Sequence, residues 1–93
     1  MDTSENTTDP VARAIGAELR GRREANGWTL AQLAACLPQD VDDQTLLAYE
    51  NGHETPPAPH FVTLCGKLGV SAPELLGHAL DRVEGSERGH SPN

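Results

Sequence analysis

The side chains best suited to metal binding or covalent catalysis are spread thinly through this sequence. They are four histidines and two cysteines: His53, His60, His78, His90, Cys36 and Cys65. A zinc site needs ligands at close spacings, and a catalytic site needs a nucleophile, a base and an orienting group that converge. No such spacing and no phosphate-binding glycine loop is present. The sequence therefore predicts no metal, no cofactor and no enzymatic activity, and it favours two buried thiols in a reducing compartment over a disulfide.

Charge is the second chemical feature of the sequence, and it is unevenly distributed. The chain of 93 residues has a formal net charge of −7, which repels a phosphate backbone at long range and disfavours nonspecific nucleic-acid binding. Four basic residues are close together, at Arg13, Arg20, Arg22 and Arg23. From Glu24 to Gly66 there is no lysine or arginine, whereas acidic residues occur at Glu24, Asp40, Asp42, Asp43, Glu50 and Glu54.

Helices are the elements that must position these charges, because cap residues, stop residues and apolar spacings recur along the chain. Helix 1 is predicted over 10–25, since Asp9 can cap its N-terminus, Pro10 suits its first position and Gly27 can end it. Its apolar residues then fall on one face, which places the arginines on the same helix.

The next two helices are predicted from the same kind of evidence. Helix 2 begins after the cap Thr29 and stops before Pro38. A turn over 38–41 leads to helix 3, which extends from the cap Asp42 to a C-terminal stop at Gly52.

Two further helices complete the predicted domain. Helix 4 starts near Pro59, and Gly69 closes it. Helix 5 opens on the capping box from Ser71 to Glu74. Its inward-facing residues are predicted to be Leu75, Leu76, Ala79, Leu80 and Val83.

These elements describe one small all-α domain over 9–84. Polar composition predicts disordered tails over 1–8 and 85–93. A hydrophobic content of 37% implies a marginal core, which makes a homodimer plausible. No apolar run approaches the length of a membrane span and the N-terminus has no signal-peptide core, so we expect a cytoplasmic protein with no membrane partner.

Three segments carry a specific motif. In order, they are Gly16-x-x-Leu19-Arg20-x-x-Arg23-x-x-x-Gly27-Trp28-Thr29-x-x-x-Leu33-Ala34, Val41-Asp42-x-x-Thr45-Leu46-x-x-Tyr49-Glu50-Asn51-Gly52, and Leu64-x-x-x-Leu68-Gly69-Val70-x-x-x-x-Leu75-Leu76. Together they resemble the Xre/Cro (lambda-repressor-like) group of helix-turn-helix DNA-binding domains. The resemblance implies a compact five-helix domain whose third helix, about 42–51, enters the major groove of double-stranded DNA.

The resemblance also implies roles for individual residues. It assigns Arg23 and Glu50 to a structural ion pair. It places the DNA-binding positions at Arg20, Thr29, Asp43, Gln44, Thr45, Ala48 and Asn51. Among these, Gln44 could pair with an adenine, Asp43 could accept from a cytosine amino group, and Ala48 could touch a thymine methyl.

Some of these positions have a second interpretation. Asp42 and Asp43 are favoured at a helix N-terminus by capping and the helix dipole, without any contact to DNA. Arg20 could instead pair with Glu24 on a solvated face. Compared with the compact form of the family, the turn before helix 3 is two residues longer. Leu47 occupies a position where the family normally has an exposed polar residue. It therefore either packs under the longer turn or is an exposed anchor for a partner.

Two functions follow as hypotheses. The first is a sequence-specific DNA-binding regulator of transcription, acting as a dimer that places two copies of helix 3 in successive major grooves roughly 34 Å apart. The alternative is a protein-interaction module of the same fold, whose acidic helix 2–3 face binds a basic partner such as a sigma factor, a regulator or a toxin.

Overall fold

The protein folds into five α-helices. The computed structural model describes residues 9–39 and 41–89, with side chains described through residue 85. The helices are α1 (Pro10–Ala25), α2 (Leu30–Ala35), α3 (Asp43–Glu50), α4 (Ala58–Leu68) and α5 (Ala72–Gly89). Within those described residues there is no strand, and the predicted all-α, five-helix class is confirmed.

Helix α1 has the bounds that its sequence predicts. The Asp9 carboxylate accepts a hydrogen bond from the Val11 N–H at 3.0 Å, which satisfies one of the N–H groups that a helix N-terminus leaves without a partner. At the other end, the Asn26 N–H donates to carbonyls of the last turn. Local capping is therefore sufficient to define this helix.

Helix α5 is longer than predicted. The domain is predicted to end at residue 84, whereas the helix continues to Gly89. No proline occurs between Pro73 and Pro92, and a polar segment can continue a helix in water because its side chains stay solvated. The predicted tail over 1–8 and the last four residues of the predicted tail over 85–93 lie outside the described residues.

The core lies where α1 crosses the other helices, and it is almost entirely aliphatic. Its fully buried side chains come from every helix and from the turn before α3: Leu19, Leu33, Val41, Leu46, Leu64, Cys65 and Leu75. Helix α1 packs against α3, α4 and α5, whereas α2 packs against α3. Helix α1 thus supports the pair α2 and α3 through its contact with α3.

Three predicted core positions are exposed instead. Leu76 and Leu80 are 36% and 43% exposed, although Leu75 and Ala79 on the same helix are fully buried. The buried stripe of α5 is therefore narrow, because neighbouring helix positions differ by about 100° in direction. The prediction that both thiols are buried is also wrong, since Cys65 is buried but Cys36, at the C-cap of α2, is exposed.

The membrane prediction has one structural counterpart. Among the described residues, no helix combines the length and the apolar character that a membrane crossing requires.

Candidate nucleic-acid interface

Helix α2 is short and is held in place by a reciprocal cap. The Thr29 hydroxyl accepts from the Gln32 N–H at 3.1 Å, and the Gln32 side chain accepts from the Thr29 N–H at 2.9 Å. Leu33 is the fully buried residue of this helix. The cap supplies order that six residues alone would not, because short helices are marginal in water.

Val41 anchors the described part of the turn between α2 and α3. The Val41 N–H donates to the Pro38 carbonyl at 2.9 Å, and the Val41 side chain is 2% exposed. The longer turn therefore inserts an apolar residue into the core. Asp42 then caps α3, accepting from the Thr45 N–H at 2.8 Å.

Two glycines allow α3 to lie close to α1. A Cβ atom on Gly16 would come within 2.4 Å of the Tyr49 and Glu50 carbonyl oxygens. At the end of α3, Gly52 has φ +78° and lies against the backbone of Arg13. Contact between the α1 backbone and the last turn of α3 thus sets the position of the third helix.

A buried ion pair fixes the orientation of the same two helices. The Arg23 guanidinium donates to both carboxylate oxygens of Glu50, at 2.7 and 3.1 Å, and to the Trp28 carbonyl at 2.7 Å. The two side chains are almost fully buried, and the bidentate bond to Glu50 raises the pKa of Arg23 above its usual value. The residues that the resemblance assigns to a structural pair are therefore brought together.

Three of the predicted DNA-binding residues lie on the side of α3 that faces away from the core. Leu46, Tyr49 and Glu50 form the buried side. Gln44 and Asn51 are exposed and Ala48 is half-buried, and helical spacing places these three on one face. The Gln44 side chain makes no hydrogen bond with the described residues, so it is available to an external partner.

The remaining predicted contacts have different surroundings. Asp43 is exposed in the first turn of α3, whereas Thr45 is half-buried and bonded to the cap. Thr29 is exposed, but both its hydroxyl and its N–H serve the α2 cap. Arg20 is exposed and pairs with Glu24 at 3.2 Å, so a phosphate contact by Arg20 would have to compete with that pair.

An ion pair that sequence spacing did not indicate ties α5 to α1. Glu18 lies 3.9 Å from Arg22, one turn away on α1, but its hydrogen bond is with Arg82 of α5 at 2.5 Å. These two residues are 64 positions apart in the chain. No local pattern signals such a contact.

Electrostatically, the surface of α2, the turn and α3 is acidic. The segment contains no lysine or arginine, while Asp42 and Asp43 are exposed at the start of α3. No group of three or more histidine, cysteine, aspartate or glutamate side chains that could hold a metal ion occurs among the described residues. Recognition by this face therefore relies on amide, hydroxyl, apolar and acidic groups.

The cap at Asp42 gives α3 a pH-dependent component of stability. Hydrogen bonds from the Thr45 N–H and hydroxyl lower the pKa of Asp42, because they favour its charged form. The stabilisation is complete above the usual carboxyl pKa and is lost as the pH falls through the lowered one. The variant Asp42→Asn keeps a good cap. We expect the difference in melting temperature between this variant and the wild type to be constant above about pH 5.

Thermal unfolding followed by circular dichroism from pH 7 to low pH tests this expectation. Below about pH 4 the wild type should lose stability relative to Asp42→Asn. Asp42→Ala serves as the control, since it removes the cap at every pH. Parallel curves for wild type and Asp42→Asn at all pH values would contradict the assignment.

The architecture defines the class of protein. Two short capped helices, joined by a turn and supported by a third helix behind them, form a helix-turn-helix unit within an all-α domain. A family profile described as a helix-turn-helix domain matches residues 14–79. The chain belongs to this helix-turn-helix domain family.

A solved structure shares the fold over most of its length. It is the crystal structure of the clp gene regulator ClgR from Corynebacterium glutamicum, to which this chain is similar with a TM-score of 0.72 and 26% sequence identity. The similarity covers 84% of this chain and 83% of that one. None of the curated proteins compared with the chain matches it.

Proposed function

We propose that the protein is a sequence-specific DNA-binding regulator of transcription that places α3 in the major groove. The observation that carries this proposal is the exposed face of α3, where Gln44, Ala48 and Asn51 project from a helix held by a cap, a close glycine contact and a buried ion pair. A rigid helix with unpaired polar side chains on its outer face is what base recognition requires. Membership of the helix-turn-helix family and similarity to a gene regulator support the proposal.

The proposed contacts follow the Xre/Cro pattern. Gln44 pairs with an adenine, Asp43 accepts from a cytosine amino group, and Ala48 touches a thymine methyl. The surrounding residues contact the sugar-phosphate backbone and are Arg20, Thr29, Thr45 and Asn51. Because no arginine reaches the bases, affinity rests on backbone N–H groups at helix N-termini and on few phosphate contacts.

We further propose that the regulator acts as a homodimer. A single α3 presents a small reading surface, and two copies related by a twofold axis would read two half-sites roughly 34 Å apart. Sedimentation of the DNA complex gives its stoichiometry directly. One protomer per selected site would contradict the dimer while leaving the role of α3 intact.

A salt series tests DNA binding itself. Double-stranded sites are selected from a random-sequence library at low salt, and affinity for the best site is measured at increasing salt. We expect binding to weaken with a slope that corresponds to a handful of phosphates, about 0.9 per phosphate contacted. Failure to select any sequence at low salt would overturn the proposed function.

A single amide tests the role of α3 in base recognition. Gln44→Ala should weaken binding to the selected site by about 1–3 kcal/mol and relax specificity at one base pair. Gln39→Ala is the matched control, because Gln39 is an exposed glutamine in the turn and outside the proposed reading face. Equal effects of the two variants, or loss of affinity without a change in base preference, would contradict the assignment of Gln44.

A further inference from the structure

An open groove of about 410 Å³ runs across the turn between α2 and α3. Its apolar lining comes from both sides of the turn: Ala31, Ala34, Ala35, Leu37, Pro38 and Val41. Asp42 and Asp43 form its rim at the start of α3. The groove exists because α2 presents alanines here, whose small side chains do not fill the space beneath the lengthened turn.

An exposed leucine extends this apolar surface along α3. Leu47 is 43% exposed, so of the two predicted arrangements the exposed one is found. It follows Asp43 by four positions, and such residues lie on the same side of a helix. Leu47 does not line the groove itself, but it lies one turn beyond Asp43 on the same side of α3 and adds an exposed apolar side chain next to the groove.

The charge of this surface favours a partner with basic side chains. No lysine or arginine occurs from residue 24 to residue 66, and Asp43 has no ion-pair partner among the described residues. The floor of the groove is apolar apart from Gln39, so it offers a phosphate group few hydrogen-bond donors. A segment with basic and apolar side chains matches both features, because opposite charges steer the encounter and apolar side chains fill the groove.

We propose that this groove docks a short amphipathic helix of another protein, with apolar side chains against the alanines and Leu47 and with basic side chains over Asp42 and Asp43. The amphipathic helix presents anchors at i, i+3 or i+4 and i+7, a spacing suited to a groove that continues along α3. The surface borders the base-reading face, so a docked helix and DNA would compete for the N-terminus of α3.

Two synthetic peptides of identical composition test the proposal on the full chain. One is a 14-residue helix with leucines on one face and arginines on the other, and its control has the same residues in an order that places leucines all round the helix. We expect the amphipathic peptide to bind at least tenfold more tightly. Amide shifts in a ¹⁵N spectrum should cluster at Ala35, Leu37, Val41 and Leu47.

Matched protein variants distinguish peptide binding in the groove from a general electrostatic attraction of a basic peptide to an acidic protein. Ala35→Arg adds bulk and positive charge at the exposed end of α2, whereas Ala25→Arg makes the same change at the exposed end of α1. We expect a loss of tenfold or more in peptide affinity for Ala35→Arg and less than twofold for Ala25→Arg. Asp43→Asn should weaken binding more than Asp81→Asn on α5.

Three results would overturn the proposal that this groove is a docking site. They are equal affinity for the two peptides, equal effects of the two arginine variants, and amide shifts that map outside the turn and α3. These measurements do not depend on the selection of a DNA site. The proposed docking site and the proposed DNA function can therefore be refuted independently of each other. Displacement of the amphipathic peptide by a selected DNA site would show that the two partners share the start of α3.

Discussion

Replacing Gly16 by alanine is expected to destabilise the protein by about 3 kcal/mol or more, at the upper end of the range for overpacked sites. The added methyl group would lie 2.4 Å from two carbonyl oxygens at the end of α3. Both obstacles are backbone atoms, so no side-chain rotation can relieve the contact. Helices α1 and α3 would have to separate, which would displace the exposed outer face of α3.

Gly21 supplies the control within the same helix. A Cβ atom there meets nothing within 4 Å, so Gly21→Ala should stabilise the protein by about 0.5–1 kcal/mol through helix propensity alone. Chemical denaturation of the two variants measures the contrast. Similar stabilities for Gly16→Ala and the wild type would show that α1 and α3 do not approach as closely as described.

Replacing Arg23 by alanine is expected to cost about 3–5 kcal/mol, because it leaves the Glu50 carboxylate buried and without its bidentate partner. The same change removes the donor to the Trp28 carbonyl, which connects α1 to the chain entering α2. We expect loss of the folded state at a much lower denaturant concentration and loss of any function that depends on α3.

Two further variants test whether the large effect of Arg23→Ala comes from the burial of its ion pair or would follow the loss of any ion pair. Arg20→Ala removes an exposed pair with Glu24 and should change stability by less than about 0.5 kcal/mol. Combining Arg23→Met with Glu50→Leu removes both charges and should recover much of the stability lost in Arg23→Ala. If Arg20→Ala proved as costly as Arg23→Ala, the buried pair would have no special role.

Much of the fold could be predicted because its signals are local. A cap residue, a stop residue and apolar spacing lie within a few positions of the helix they define, as at Asp9, Thr29 and Asp42. The end of α5 could not be placed in the same way, because the polar residues that follow Val83 neither favour nor forbid a further turn. The expectation that the outer face of α3 reads bases comes only from the resemblance and stays a prediction, since Gln44 and Asn51 have no distinctive local pattern.

The sequence by itself determined the five helices, their caps and the acidic character of the segment from α2 to α3. Tertiary structure alone decided which apolar residues are covered, leaving Leu47, Leu76 and Leu80 exposed, because burial depends on the width of each helix contact. It also decided the Glu18–Arg82 bond and the groove beside Asp43. These features depend on contacts between segments that are far apart in the sequence. The spacing of residues along the chain does not tell which of those segments meet in space.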